Sequence, residues 1–385
     1  MRKTFLPYNQ PEVGEDEVRA VSEAILSRWI TRGGLTQQFE EALAQYLGVQ
    51  EVVGVSSCTA GLHLALLAAN IGPGAEVITT PYTFAASVNV IVHAGATPVL
   101  VDIEPDTGNI DPDAVERAIT DNTRAILPVH YAGHSVDMER MNRIRDRYGL
   151  VIIEDAAHAM ASRQQGRLVG SLGNLTAFSF YATKNLTTGE GGALVVPDQG
   201  MAERIRILSL HGMSKNAWNR YSQTGSWRYD VGAPGFKYNM TDMDAAMGLV
   251  QLGKLASMQA KRAELAQHLM EGLRALPVVL PTVRPGYEHA WHLFPIRVAM
   301  DRIKGGRDDV IRDLNAENIG TSVHFIPIHH HSYYQARFGW HAGDFPHADR
   351  FFEEEISLPL YPGMTHEDAG DVISAMERVL TRRQK

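Results

Sequence analysis

Two periods of hydrophobicity divide the chain. From residue 15 to 29, apolar side chains return every three or four positions (Val18, Val21, Ile25, Trp29), which predicts an amphipathic helix. After an irregular I-T-R-G-G turn, the same spacing predicts a second helix over 36–47, with Phe39, Leu43 and Leu47 on its face and Gly48 as its stop. From residue 52 the pattern shortens into apolar runs separated by helical stretches. Strands are predicted at 52–55, 76–80, 98–103, 124–129 and 150–153, with helices over 84–93, 112–119 and 137–148 between them. This alternation predicts an α/β fold with a mostly parallel sheet covered by helices on both faces. Ligands of such sheets gather at the carboxyl ends of the strands, which puts forward Ser56 to Thr59, Thr80 to Phe84, His130 and Asp155.

A strand over 175–180 runs into the turn A-T-K-N, and the pair Gly191 and Gly192 leads to a strand over 193–196 and a helix over 201–210. Residues 211–239 then form a long irregular segment of a kind that is usually functional. Its Lys215, Arg220, Arg228 and Lys237, beside Trp218, Trp227 and Tyr229, offer the cations and aromatic faces that a base and a diphosphate require; each also suits a solvated loop. A long helical pattern over 242–276 predicts a bridge between a large α/β domain, 1–255, and a smaller α+β domain, 256–385. In the second, a strand is predicted at 293–298, a helix at 307–317, a strand at 322–325 and a helix at 367–380.

Composition narrows the function. A formal net charge of -8 disfavours a nucleic-acid binder. One cysteine, Cys58, precludes an internal disulfide and suits a reducing, cytoplasmic location. The start M-R-K-T-F-L-P has no apolar core behind it, so no signal peptide is expected, and no run is long enough to cross a membrane. The run His329 to His331 invites a metal reading. Consecutive histidines cannot all face one ion on regular structure, and no Cys or acidic partner sits at ligand spacing, so no metal is expected.

Four pieces carry candidate chemistry, and each has a plain structural alternative. Lys184 lies between two buried-looking strands; it is either a surface loop lysine or an amine that burial has made nucleophilic. The S-S-C-T-A start of a helix is either an N-cap or a phosphate seat built from amides and the Thr59 hydroxyl. Asp155 ends an aliphatic strand as a cap, an ion-pair partner, or a carboxylate that keeps a heterocyclic nitrogen protonated; His158 follows one turn later, where a core histidine is the plain reading. Ser179 alternates with two phenylalanines on the strand before Lys184. Together the four describe a pyridoxal 5'-phosphate site.

The chain resembles the sugar-nucleotide aminotransferases of the DegT/StrS type, which are fold type I pyridoxal phosphate enzymes. The resemblance rests on W-I-T-R-G-G, S-S-C-T-A-G-L, P-Y-T-F, P-V-H-Y-A-G, E-D-A-A-H-A, F-S-F-Y-A-T-K-N, G-E-G-G, H-G-M, K-Y-N and A-W-H-L-F, in that order over nearly the whole length. It implies that Lys184 is the Schiff-base lysine and that Asp155 pairs with the pyridine nitrogen. It implies that His158, where many relatives have Gln, approaches the ring hydroxyl and that Phe84 stacks on the ring. Thr59, the Ala60 amide and Ser179 would hold the phosphate. Asn239 would reach the cofactor phosphate of a neighbouring subunit, which implies a homodimer with shared active sites. His324 would lie near substrate, and Arg32, Arg220 and Arg228 are taken with it as the candidate substrate-binding residues. Cys58 replaces a common Gly or Ala, and Gly34 a common Pro.

E-D-A-A-H-A, K-Y-N and H-A-W-H-L-F resemble the branch that aminates carbon 4 of UDP-4-keto pentoses, as in 4-amino-4-deoxy-arabinose synthesis. The expected reaction moves the amino group of L-glutamate to a nucleotide-linked 4-keto sugar, leaving 2-oxoglutarate. Three alternatives compete. A 4-keto-6-deoxy sugar 3-dehydratase would carry histidine in place of Lys184. A non-catalytic regulatory or sensory member would not need the complete catalytic set. An amino-acid aminotransferase would carry a dedicated carboxylate-clamping arginine.

Overall fold

The computed structural model describes residues 2–213 and 229–385. In chain order, the large sheet and its cover are built from α1 (Glu15–Leu26), α2 (Gly34–Leu47), β1 (Glu51–Val55), α3 (Cys58–Ala68), β2 (Glu76–Thr79), α4 (Ala85–His93), β3 (Thr97–Leu100), α5 (Pro112–Arg117), β4 (Thr123–Leu127), α6 (Met138–Tyr148) and β5 (Val151–Asp155). Two short strands, β6 (Arg163–Gln164) and β7 (Arg167–Leu168), precede β8 (Leu175–Ser179), β9 (Gly192–Val196) and α7 (Gln199–Leu208). The long α8 (Asp242–Leu273) leads to β10 (Val278–Val279), β11 (Tyr287–Glu288), β12 (Phe294–Val298), α9 (Arg307–Ala316), α10 (Ser332–Phe338), α11 (Pro346–Glu354), β13 (Glu355–Leu358) and α12 (His366–Arg383).

Seven strands form the main sheet in the order β1-β9-β8-β5-β4-β2-β3. β9 alone among them runs antiparallel to its neighbours. Strands buried on both faces read as continuous apolar runs, and β8 and β9 are buried at every position. Side chains of α3 fill the space against one face (Leu62, Ala65, Leu66 with Val53, Leu127 and Ile153). The other face packs Phe39 and Leu43 of α2 against Phe178 and Phe180. α2 ends where the sequence places its stop, because Gly48 takes a left-handed conformation at φ 69°. Its start is held by Asp242, whose carboxylate accepts from the amides of Gly33, Leu35 and Thr36, an anion at a helix N-terminus.

α8 runs unbroken past Leu255. Leu255 packs in the cluster behind the main sheet, whereas Leu265, Ala266 and Leu269 belong to a second core with β12, β13, α9 and α12. Leu6 at the chain start joins that second core and bridges to Ile319. The C-terminal sheet is β10-β12-β13, and β13, with the helices α10 and α11, was not anticipated. The strand expected over 322–325 is reduced to one bridge between Ser322 and Ser357, because the outer edge of β13 is paired there by only two hydrogen bonds.

α1 turns its apolar stripe outward. Val18, Ile25 and Leu26 are 67%, 51% and 79% exposed, and the buried residues of the helix are Glu17 and Ala24. Glu17 is held there by Lys254 at 2.9 Å and Gln251 at 2.8 Å on α8. The periodicity was a sound signal for a helix; it did not say what covers the stripe.

Candidate active site

The carboxyl ends of β1, β5 and β8 meet at one cavity of about 560 Å³. Asp155, the last residue of β5, and Ser179, the last of β8, line it together with Thr59 in the first turn of α3. Lys184 enters from the turn after β8. That turn is tied down on both sides: Lys184 N donates to Tyr181 O, and the neighbouring Asn185 amide donates to Ala290 O at 2.7 Å. The lysine sits on a short, fixed loop over a strand end, half-buried.

Burial pulls the Lys184 ammonium down to about 8, with Cys58 and the Asp155 carboxylate pulling the other way. Near neutrality a usable fraction of this amine is therefore free, as a carbonyl-binding lysine requires. Asp155 is fixed by three donors. Ser87 Oγ lies 2.7 Å from Oδ2, and the Ala157 amide and the Cys58 thiol, 3.1 and 3.8 Å away, approach Oδ1. Cys58 also points at Ala177 O, and burial pushes its thiol well up, so it stays protonated and acts as a weak donor rather than a nucleophile.

His158 is buried in the same cavity wall, its ring 4.3 Å from that of His292, and burial holds its imidazole well below the usual value. Its Nδ1 is a buried polar atom with no hydrogen-bond partner among the described residues. Such an atom needs a partner, which a ligand or a water in the cavity can supply. Phe84 stands at the mouth, 64% exposed, with its ring 6.0 Å from Phe325. His324 completes the wall beside Tyr8.

The remaining expected residues divide. The Ala60 amide donates to Ser57 Oγ at 3.1 Å, so Ser57 caps α3 and that amide is already engaged, while Thr59 is exposed to the cavity. Asn239 is buried against the end of β1, accepts from Lys237 Nζ at 2.6 Å and lies outside this cavity. Arg32 is not brought to Lys184: its guanidinium pairs with Glu40 at 2.7 Å in a second cleft of about 910 Å³, beside Trp29 and Arg206. The buried Glu40 carboxylate draws it there. Arg220 and Arg228, with Lys215, Trp218 and Trp227, lie outside the described residues. His130, a strand-end candidate, is fully enclosed; it accepts from Val136 N at Nδ1 and meets Glu154 at 2.8 Å, a structural pair.

The triple histidine has an acidic neighbour after all. Asp349 of α11, distant in sequence, lies 2.7 Å from His329 Nε2 and 2.6 Å from His330 Nε2 on the same oxygen. The shared carboxylate clips α11 to the 328–330 turn. Sequence reading also missed Ser87 and His292. Nothing in their spacing connects them to Asp155 or His158; only the parallel sheet does.

A pyridoxal phosphate fits this set. The cavity offers an amine, a carboxylate at a strand end, an unpartnered imidazole nitrogen and a helix N-terminus. At that N-terminus Gly192 lets β9 approach closely: a Cβ there would lie 2.6 Å from Cys58 N and 2.7 Å from Phe178 O.

Comparison with known proteins agrees. Residues 11–377 match the model of the DegT/DnrJ/EryC1/StrS aminotransferase family. The chain is 48% identical over 381 residues to the spore coat polysaccharide biosynthesis protein SpsC of Bacillus subtilis, covering 98% of each. The solved PLP form of Spr1654 from Streptococcus pneumoniae superposes with a TM-score of 0.91 at 34% identity, covering 98% of this chain and 99% of that one. PseC of Helicobacter pylori, an aminotransferase involved in the biosynthesis of pseudoaminic acid, gives 0.91 at 30% identity, covering 99% and 100%.

Proposed function

The chain belongs to the DegT/DnrJ/EryC1/StrS aminotransferase family, and on that premise we propose that it moves the amino group of L-glutamate to carbon 4 of a nucleotide-linked keto sugar. It is a pyridoxal phosphate-dependent sugar aminotransferase of the fold type I class. The finer reading is UDP as the carrier and an amino sugar nucleotide as the product, destined for a surface polysaccharide as the name of SpsC suggests. The observation that carries it is the single cavity holding Lys184, Asp155 and His324.

Lys184 would hold the cofactor aldehyde, Asp155 its ring nitrogen, His158 its ring hydroxyl, and Thr59 and Ser179 its phosphate, with Phe84 over the ring. Bound there, the cofactor supplies an electron-withdrawing ring that stabilises negative charge on the carbon being deprotonated. The Lys184 amine would take the α-proton of glutamate and later return a proton to the sugar carbon that receives nitrogen. Asp155, held in place by Ser87 and Cys58, would keep the ring nitrogen protonated by opposite charge. Tyr8, Phe325 and His324 close the substrate side.

The outward apolar stripe of α1 is the surface proposed for a second copy. The homodimer would bring Asn239 of one subunit toward the other's cofactor phosphate, and the residues around Arg32 toward its substrate.

A panel of UDP-, dTDP- and GDP-4-keto sugars with glutamate, read by product mass, tests the reading. An amino sugar nucleotide is expected, with UDP preferred. Amination of simple oxo acids with every sugar nucleotide inert would replace it with the amino-acid aminotransferase.

A further inference from the structure

Behind His324 lies a chain of hydrogen bonds that the reaction above does not use. His324 Nδ1 is 2.9 Å from Ser357 Oγ, and Ser357 Oγ is 2.5 Å from Glu355 Oε1. The other oxygen, Oε2, accepts from the His324 amide at 2.9 Å. Glu355 is wholly buried, and Ser357 with it. His324 faces the cavity from the opposite side of its ring, and among the described residues its Nε2 has no hydrogen bond.

We propose that Glu355 and Ser357 are positioning residues that decide which nitrogen of His324 carries the proton, and so whether Nε2 donates to substrate or accepts from it. The inference rests on the cavity being the substrate site. Each link has one proton and two states. With Glu355 protonated, its Oε1–H donates to Ser357 Oγ, Ser357 donates to His324 Nδ1, and the ring proton sits on Nε2. Nε2–H then suits a ketone oxygen or a carboxylate. With Glu355 ionised, Ser357 donates to Oε1, His324 Nδ1–H donates to Ser357, and Nε2 is bare, an acceptor for a hydroxyl. Passing from the first state to the second moves the Glu355 proton to Ser357, the Ser357 proton to Nδ1, and the Nε2 proton out to the cavity. One proton is lost and every other is conserved.

The surroundings allow both states. Burial raises Glu355 to about 8, against the bonds from Ser357 and the His324 amide and the charge of Arg307. The other groups facing it are Tyr8, whose hydroxyl also hydrogen-bonds Ser357, and Tyr82 and Tyr131; burial raises all three, so they keep their protons at that pH and the Ser357 proton moves only between Glu355 and His324. Arg297, its register partner on β12, has its guanidinium on Glu354. Burial and Lys184 hold His324 down to about 4, so the ring is neutral throughout and its tautomer, not its charge, is what changes. Lys184 titrates in the same range and faces His324, and the test must separate the two.

Histidine-labelled protein, ¹⁵N-detected by NMR without cofactor or substrate, reads the tautomer directly, and H324Q assigns the signal. A switch of the proton from Nε2 to Nδ1 is expected as pH rises through about 8. In Glu355→Gln the carboxamide oxygen keeps the His324 amide bond and the NH₂ donates to Ser357, so the proton stays on Nε2 at every pH. Ser357→Thr retains the switch; Ser357→Ala loses it. A switch that persists in Glu355→Gln assigns it to Lys184 and overturns the relay, as does a tautomer that never changes in the unsubstituted protein. In the active enzyme KM for the keto sugar or glutamate is expected to rise about tenfold across that pH range, the equivalent of one hydrogen bond, with kcat moving less, and to stay flat in Glu355→Gln. A switch seen by NMR with KM flat in both proteins would leave the relay standing and remove the substrate from His324.

Discussion

Ser87 Oγ lies 2.7 Å from Asp155 Oδ2, joining the first turn of α4 to the end of β5 across 68 positions of sequence. Both residues are buried. The hydroxyl therefore fixes the carboxylate proposed to pair with the cofactor ring nitrogen. Ser87→Ala leaves that oxygen unpaired, at a cost of about 1–3 kcal/mol. The expected outcome is a lower melting temperature of the apoprotein and faster loss of cofactor on dialysis. Unchanged cofactor retention would mean that Ser87 only packs.

Lys184 sets a pH dependence. Burial has lowered its folded value to about 8 from 10.5. Below about 8 the free-amine fraction falls tenfold per pH unit. The rate at which apoprotein captures pyridoxal phosphate should rise to a plateau above pH 8, followed by the visible absorbance. Between about 8 and 10.5 the unfolded chain binds more protons at this position than the folded one, so its contribution to apoprotein stability rises with pH across that window. Denaturant titrations of Lys184→Met against the unsubstituted chain should show that slope disappear.

Lys184→Ala removes the amine proposed both to anchor the cofactor and to carry the proton. Turnover should fall by roughly 10²–10⁴-fold from lost proton transfer alone, and the visible absorbance should vanish. Undiminished transamination would refute the assignment.

Gly192→Ala probes the proposed phosphate seat. The added methyl would meet backbone atoms of Ser57, Cys58 and Phe178 at 2.6–2.7 Å, none of which can swing aside. A destabilisation of about 1–3 kcal/mol is expected, with weaker retention of pyridoxal phosphate than of phosphate-free pyridoxal relative to the parent. Thermal melts and cofactor titrations check it; equal losses for both ligands would place the damage away from the phosphate.

Ile25→Glu with Leu26→Glu charges the exposed stripe of α1 without touching the core. Sedimentation should show the molecular mass halve, and activity should fall with it, because in the proposed homodimer each site would draw on its neighbour. A monomeric parent would remove the dimer proposal.

What the chain dictated by itself was local. Three- and four-residue spacing marked the helices and short apolar runs the strands, because a helix buries one stripe and a central strand both faces, and their alternation left a mostly parallel sheet. The ordered motifs around Asp155 and Lys184 named the chemistry, because a strand end and a tight turn are written in adjacent residues. Contacts between distant residues were decided only by the fold. The start of α4, a helix packed on α3 and β3, brought Ser87 to Asp155, and the pairing of Ser322 with Ser357 set His324 within hydrogen-bond reach of Ser357. The Glu40 carboxylate drew Arg32 into another cleft, and Asp349 of α11 reached the histidine run that no neighbour in sequence could partner. An apolar stripe can be read from spacing, but whether water, a core or another copy meets it depends on which side the helix turns inward; in α1 the ion pair of Glu17 with Lys254 settled that.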